Sequence, residues 1–216
     1  MKIIVFDLDD TLYKEIDCLK SAYKEIADFL YNEFEVQAAY EFMIQKYYQN
    51  ENVFVELNNH FSLSIPIETY LKIYRNHSPN ICLDEGTLDV LNALRKQEIK
   101  IGLITDGRTL SQGNKIKALG LENYIDKNLI IISEEFGFAK PNISNYIYFQ
   151  NIFPNVKYIY IGDNINKDFI SPNSLGWETI CLLDNGLNIH KQNFDLNKEY
   201  LPKYNVSSLK EILDLI

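Results

Sequence analysis

The chain has 216 residues, 46% of them hydrophobic and 24% charged, enough for one full soluble core or a core carrying a sizeable insertion. Thirty acidic residues against 21 basic give a formal charge of −9, which argues against nucleic acid or an anionic membrane as a partner. An anionic substrate would need local cations, and a bound divalent metal would supply them.

The first predicted element is the apolar run Ile3-Ile4-Val5-Phe6, which ends abruptly in Asp7-Leu8-Asp9-Asp10-Thr11. With both faces apolar it reads as a buried parallel strand, and the acidic cluster falls at its carboxyl end, where open α/β sheets place ligands. From about Lys14 to Asn80 the period becomes helical. Ile16, Leu19, Tyr23, Ile26 and Leu30 mark one amphipathic helix, and Ala38–Tyr48, Val53–Phe61 and Ile67–Tyr74 mark three more. Polar breaks at Gln49–Asn52 and Ser62–Ser64 separate them. The aromatics Tyr40, Tyr47, Tyr48, Phe54 and Tyr70 read as the core of this bundle.

Strand and helix alternate from there on. Leu88, Leu91 and Leu94 mark a helix, Lys100–Thr105 a strand, and Ile116 and Leu119 a helix that Gly120 can stop. Leu129–Ser133 reads as a strand, followed by Lys140-Pro141 and a helix carrying Ile143, Tyr146 and Ile147. Tyr158–Ile161 and Thr179–Leu183 are two more strands, and Ser208 with Glu211 forms a capping-box pattern for the last helix. Asn185–Asn205 is polar and aperiodic, with no assigned function. The repeated alternation predicts an α/β, Rossmann-like doubly wound parallel sheet, residues 1–13 and 81–216, with a helical cap bundle, 14–80, inserted after the first strand.

Every predicted strand leads to a polar residue suited to phosphate chemistry: Asp7 and Asp9, Thr105 and Asp106, Lys140 beyond the third, and Asp163. In a parallel sheet these ends share one edge, so side chains far apart in sequence converge on one crevice. Carboxylates brought together repel unless a cation sits among them, and hard oxygen ligands select Mg²⁺. Thr105, backbone N–H groups near Asp106-Gly107, and Lys140 are positioned to hold phosphate oxygens.

These residues fall into four ordered motifs: DxDxT at Asp7–Thr11, Thr105 at a strand end, Lys140-Pro141, and GDxxxxD at Gly162–Asp168. Together they resemble the phosphatases of the haloacid dehalogenase superfamily, in the subgroup with a helical cap between the first two motifs. The resemblance implies Asp7 as nucleophile and Asp9 as general acid and base. It places Mg²⁺ on Asp7, the Asp9 backbone carbonyl and Asp163, with Asp168 supporting the metal site or Lys140. Thr11 would fix the loop, and Asp10 reads as a bystander. Relatives often carry Asn where this chain has Asp106; since the family uses the backbone N–H there, its side chain is expected to turn away, with Arg108 exposed.

The implied activity is a Mg²⁺-dependent phosphomonoesterase acting on a small phosphorylated metabolite, a phosphosugar or nucleotide monophosphate, through an aspartyl-phosphate. A phosphomutase of the same fold is the alternative. A 2-haloacid dehalogenase, which has no use for Asp9 as an acid, and a non-catalytic binding module rank below both. The cap would close over the site and choose the substrate. Cys18, Cys82 and Cys181 match no zinc spacing and read as buried or half-buried thiols. His60, His77 and His190 are isolated and receive no role. No apolar run nears the roughly 18 residues that a membrane span needs, and no signal-peptide pattern opens the chain. A cytoplasmic monomer or homodimer is the expectation.

Overall fold

Ile3, Ile4, Val5 and Phe6 are all buried, and this is what makes β1 (Lys2–Phe6) a central strand with helices required on both of its faces. The computed structural model describes all 216 residues, Met1 to Ile216. The other strands are β2 (Lys100–Thr105), β3 (Ile130–Ile132), β4 (Lys157–Gly162), β5 (Glu178–Leu182) and β6 (Tyr204–Val206). They form one sheet in the order β3-β2-β1-β4-β5-β6, with every neighbouring pair parallel. The order runs outward from β1 to β3 and then restarts at β4, so it reverses between β1 and β4. With right-handed crossovers this is a doubly wound sheet, and the crevice opens beyond the carboxyl ends of those two strands.

The chain divides into two compact units, Met1–Glu15 with Cys82–Ile216, and Ile16–Ile81. In the sheet unit the helices are α5 (Glu85–Lys96), α6 (Thr109–Ala118), α7 (Ser133–Phe136), α8 (Ser144–Ile152), α9 (Ile170–Ser174) and α10 (Ile212–Leu215). Gly102 of β2 is required by packing: a Cβ there would collide with the Phe149 ring of α8. The Asp84 carboxylate caps α5 through the Thr87 N–H at 2.6 Å.

The helical unit holds α1 (Glu15–Phe34, which begins one residue before it), α2 (Ala39–Tyr48), α3 (Val53–Phe61) and α4 (Ile67–Asn76). The apolar stripe predicted on α1 is buried, from Ile16 to Leu30. Tyr23 meets Phe54 and Tyr74 edge-on, and Phe54 stacks on Tyr70 at 5.2 Å between centroids. Tyr70 is fully buried and donates its hydroxyl to Asn58 Oδ1 at 2.7 Å.

Some expectations need correction. Tyr48 is 63% exposed, because it ends α2 on the outward face rather than in the core. Cys82 is exposed, whereas Cys18 and Cys181 are buried. The helix after Pro141 starts only at Ser144, and Ser133 opens α7 instead of closing β3. The last helix is a 3₁₀ turn over Leu209–Glu211 running into α10, with the predicted capping box in place. β6 lies at the end of the unassigned segment: three residues with only Val206 buried are too short to show alternation. No helix is long and apolar enough to cross a membrane.

Candidate active site

Asp7 and Asp163 flank the switch point, because each is the first residue past its strand. The β ladder runs one step beyond β1, with the Asp7 N–H donating to Ile161 O at 2.8 Å, so the Asp7 position is set by backbone pairing. Carboxylate oxygens of Asp7, Asp163 and Asp168 lie within 4.8 Å of one another, and all three residues are buried. A cavity of about 140 Å³ opens beside them, lined by Asp7, Asp9, Thr105, Asp106, Asp163 and Lys167 among others.

Lys140 supplies the buried positive charge. Its ammonium lies 2.7 Å from Asp7 and 2.7 Å from Asp168, with no solvent exposure, and also donates to the Tyr160 hydroxyl at 3.1 Å. Burial alone would push its pKa down, but Asp168 and Asp7 reverse this and hold it well above the usual value, so it stays charged. Asp168 is committed on both oxygens, to Lys140 and to the Asn164 N–H at 2.8 Å. Gly162 makes that approach possible, since a Cβ there would collide with the Asp168 carboxylate. Asp168 thus holds Lys140, and its carboxylate also lies in the group of three that could share a metal ion.

One ammonium does not balance three buried carboxylates. Burial pushes Asp7 up to about 7 even against Lys140. Burial, then Asp7 and Asp168, push Asp163 up to about 8. Such a cluster holds either protons or a cation, and its donors are all hard oxygens, which fits a small divalent ion.

Asp9 is in a different environment. It accepts from Lys115 Nζ at 2.7 Å, Gln112 Nε2 at 2.8 Å and the Tyr13 hydroxyl at 2.5 Å. Burial raises its pKa, but Lys115 and these hydrogen bonds outweigh burial and the carboxyl sits below its usual value. Two carboxyls two residues apart are thereby pushed in opposite directions by different surroundings, burial for Asp7 and the Lys115 ammonium for Asp9. Glu15, 3.7 Å from Lys115, is pushed up to about 7 by burial and by Asp9.

The Asp106 side chain takes no place among the phosphate donors. One oxygen accepts the Lys140 N–H at 2.9 Å and the other pairs with Lys167 at 3.0 Å, so it ties together the loops after β2, β3 and β4. The Gly107 N–H donates to Ser133 Oγ at 2.9 Å. Arg108 is exposed. Asp10 has a structural part that its sequence position did not show: it is buried with a left-handed backbone (φ 56°), accepting the Glu15 N–H at 3.0 Å and the Ile189 N–H at 2.9 Å. Thr11 approaches Asp163 at 3.5 Å. Tyr13, Gln112, Lys115, Lys167, the cavity-lining His190 and Asn188, whose amide lies 2.9 Å from Asp163, were not among the predicted site residues. The only signal for Gln112 and Lys115 was their spacing of three on one helix, which an ordinary solvated face shares.

The sequence pattern of the haloacid dehalogenase-like hydrolases matches residues 4–182. The chain belongs to this family. Among the haloacid dehalogenase-like hydrolases it is similar to a glyceraldehyde 3-phosphate phosphatase of Methanocaldococcus jannaschii, 25% identical over 234 residues, covering 100% of this chain and 97% of the relative. It is also similar to the pyrimidine 5'-nucleotidase YjjG of Escherichia coli, 34% identical over 134 residues, or 61% of this chain and 55% of that one. The magnesium-bound HAD-hydrolase YfnB of Bacillus subtilis shares the fold, with a TM-score of 0.65 at 16% identity over 99% of this chain and 97% of YfnB. The chain is therefore an α/β hydrolase whose curated relatives are phosphatases.

Proposed function

We propose that this hydrolase is a Mg²⁺-dependent phosphomonoesterase of small phosphorylated metabolites, a phosphosugar or a nucleotide monophosphate, working through an aspartyl-phosphate. The observation that carries this reading is Asp9 beside Asp7 on one cavity, with Lys140 2.7 Å from Asp7 and the Asp7, Asp163 and Asp168 carboxylates close enough to share one cation. Carbon–halogen cleavage has no use for a second, separately tuned carboxyl. The curated relatives act on a triose phosphate and on nucleotides by name, which supports the substrate class.

Asp7 attacks phosphorus: an Asp7 oxygen–phosphorus bond forms as the bond to the leaving alcohol oxygen breaks. Asp9 gives that oxygen its proton, then takes one from the water that cleaves the acyl phosphate. A phosphate dianion arriving beside Asp9 raises its proton affinity, which counters Lys115 when the acid form is needed. Lys140 holds Asp7 in place and offsets charge on the transferring phosphoryl group. Thr105 and the Asp106 N–H bind its other oxygens. Asp7, Asp163 and the Asp9 backbone carbonyl would hold Mg²⁺, which when bound neutralises charge on carboxylates and phosphate together. The helical unit, 14–80 in this reading, is proposed as the cap that selects the substrate, from its place between the first two motifs.

A panel of phosphorylated metabolites, assayed with Mg²⁺ and after EDTA, tests this. Expected are Mg²⁺-dependent release of phosphate and, for Asp7→Asn, a loss on the order of 10³-fold or more. No turnover of any ester, or Asp7→Asn matching the parent, would sink the reading.

A further inference from the structure

The polar segment after β5 lies outside the residues matched by the family pattern and has no role in the mechanism above, yet it reaches the metal-side carboxylates. Asn188 Nδ2 lies 2.9 Å from Asp163 Oδ2, and Asn188 Oδ1 accepts Lys14 Nζ at 2.6 Å. The orientation of this amide is fixed by chemistry. An ammonium can only donate, so the carbonyl oxygen faces Lys14 and the NH₂ faces the carboxylate.

The segment is anchored on both sides of Asn188. Asp184 accepts the N–H groups of Gly186, Leu187 and Asn188 at 2.7, 3.1 and 3.0 Å. The Ile189 N–H is held by Asp10 at 2.9 Å, and Gln192 donates to the backbone carbonyls of Asp163 and Leu182, each at 2.8 Å. Residues 184–192 therefore form a strap across the carboxyl edge of β4 and β5, and His190 on it lines the cavity.

We infer that Asn188 is a positioning residue for the divalent metal: its amide, polarised by Lys14, sets the orientation of the Asp163 carboxylate. This rests on the metal reading proposed above. Asp163 is crowded by Asp7 and Asp168, and without a donor on Oδ2 it would turn away from them. The Asn188 hydrogen bond removes that freedom before the ion arrives, and Lys14 strengthens the donor. Asp10, the acidic residue with no catalytic role, serves the same end by pinning the strap at the next residue.

The test is Mn²⁺ binding to EDTA-treated protein, followed by the loss of the free-ion EPR signal and reversed with Mg²⁺. For Asn188→Ala the dissociation constant should rise about 10-fold or more, in the range found when groups that orient metal ligands are removed. Its metal-free melting temperature should stay near the parent's. The half-saturating Mg²⁺ concentration for turnover should rise by the same factor, with KM for the phosphate ester unchanged at saturating Mg²⁺. Lys14→Met, which keeps the amide and removes its polarising partner, should weaken Mn²⁺ by a smaller factor, and it gives a second reading should Asn188→Ala fail to fold. An Mn²⁺ affinity unchanged, or tightened, in both variants overturns the inference while leaving the metal site standing. Absence of Mg²⁺-reversible Mn²⁺ binding in the parent overturns the metal reading, and the inference with it.

Discussion

The two units bury different chemistry. Within 16–81 the buried side chains are aliphatic, aromatic, thioether or thiol, and Tyr23, Leu57 and Tyr70 are among them. The sheet unit buries Asp7, Asp10, Asp163, Asp168, Lys115 and Lys140 as well as its apolar core. An apolar core gains from each group removed from water, whereas a buried charge costs several kcal/mol unless partners repay it. The sheet unit thus holds its functional groups in an arrangement that is stable only as a set, and the helical unit has no such interdependence.

The largest expected effect follows from that interdependence. Lys140→Ala strands Asp7 and Asp168 in the interior without their ammonium, which should cost about 3–5 kcal/mol. Its counterpart in the helical unit is Lys46, 2.9 Å from Glu51 but partly exposed, where Lys46→Ala should cost below about 1 kcal/mol. Urea denaturation of both variants checks this, and equal costs would break the contrast between the units.

A smaller effect has an unusual sign. Asp7 and Asp163 titrate near 7 and 8 in the folded protein, and Glu15 near 7, all above the unfolded carboxyl range. Between about pH 4 and 8 the unfolded chain has released protons that the folded chain keeps. Metal-free stability should therefore fall as pH rises through this window, by up to about 1.4 kcal/mol per pH unit for each group. Asp9 contributes in the opposite sense, but its stabilisation is complete above its unfolded value near 3.8, below this window. Lys140 titrates above it, and its contribution is fully present throughout. EDTA-treated protein should melt at a lower temperature at pH 8 than at pH 6. Mg²⁺ should stabilise more at pH 8, where it does not have to displace protons. A metal-free melting temperature that rises from pH 6 to 8 would contradict the charge imbalance.

What the sequence made legible follows the same division. Buried parallel strands announce themselves as apolar runs, and Asp7, Thr105 and Asp163 were readable because each stands at the end of one. The α1 stripe was readable because Ile16 to Leu30 keep one period. Lys115 and Gln112 were not, since polar residues three apart on a helix look the same whether they face water or a carboxylate. Asn188 and Asp10 were unreadable for another reason. Their partners, Asp163 and Ile189, lie 25 and 179 residues away and meet them through loops without periodicity. The Asp106 side chain was expected to turn away from the phosphate and does, but its pairing with Lys167, 61 residues away, was not readable.

The finest comparison uses one substitution in both units. Tyr70 and Tyr160 are equally buried, and each hydroxyl has a side-chain partner. Tyr70 donates to the neutral amide of Asn58, whereas Tyr160 lies 3.1 Å from the Lys140 ammonium and 3.3 Å from Asp168. Removing either hydroxyl keeps the ring and its packing, so the difference isolates what the hydroxyl bonds to. Tyr70→Phe should cost about 1 kcal/mol, and Tyr160→Phe about 1.5–3 kcal/mol because its partners are charged and lose a contact they cannot replace from solvent. Denaturation midpoints of the two variants give the ratio. Equal costs would mean that Asp7 and Asp168 satisfy Lys140 by themselves and that Tyr160 stands outside the set; a larger cost at Tyr160 extends the interdependent set one residue deeper into β4.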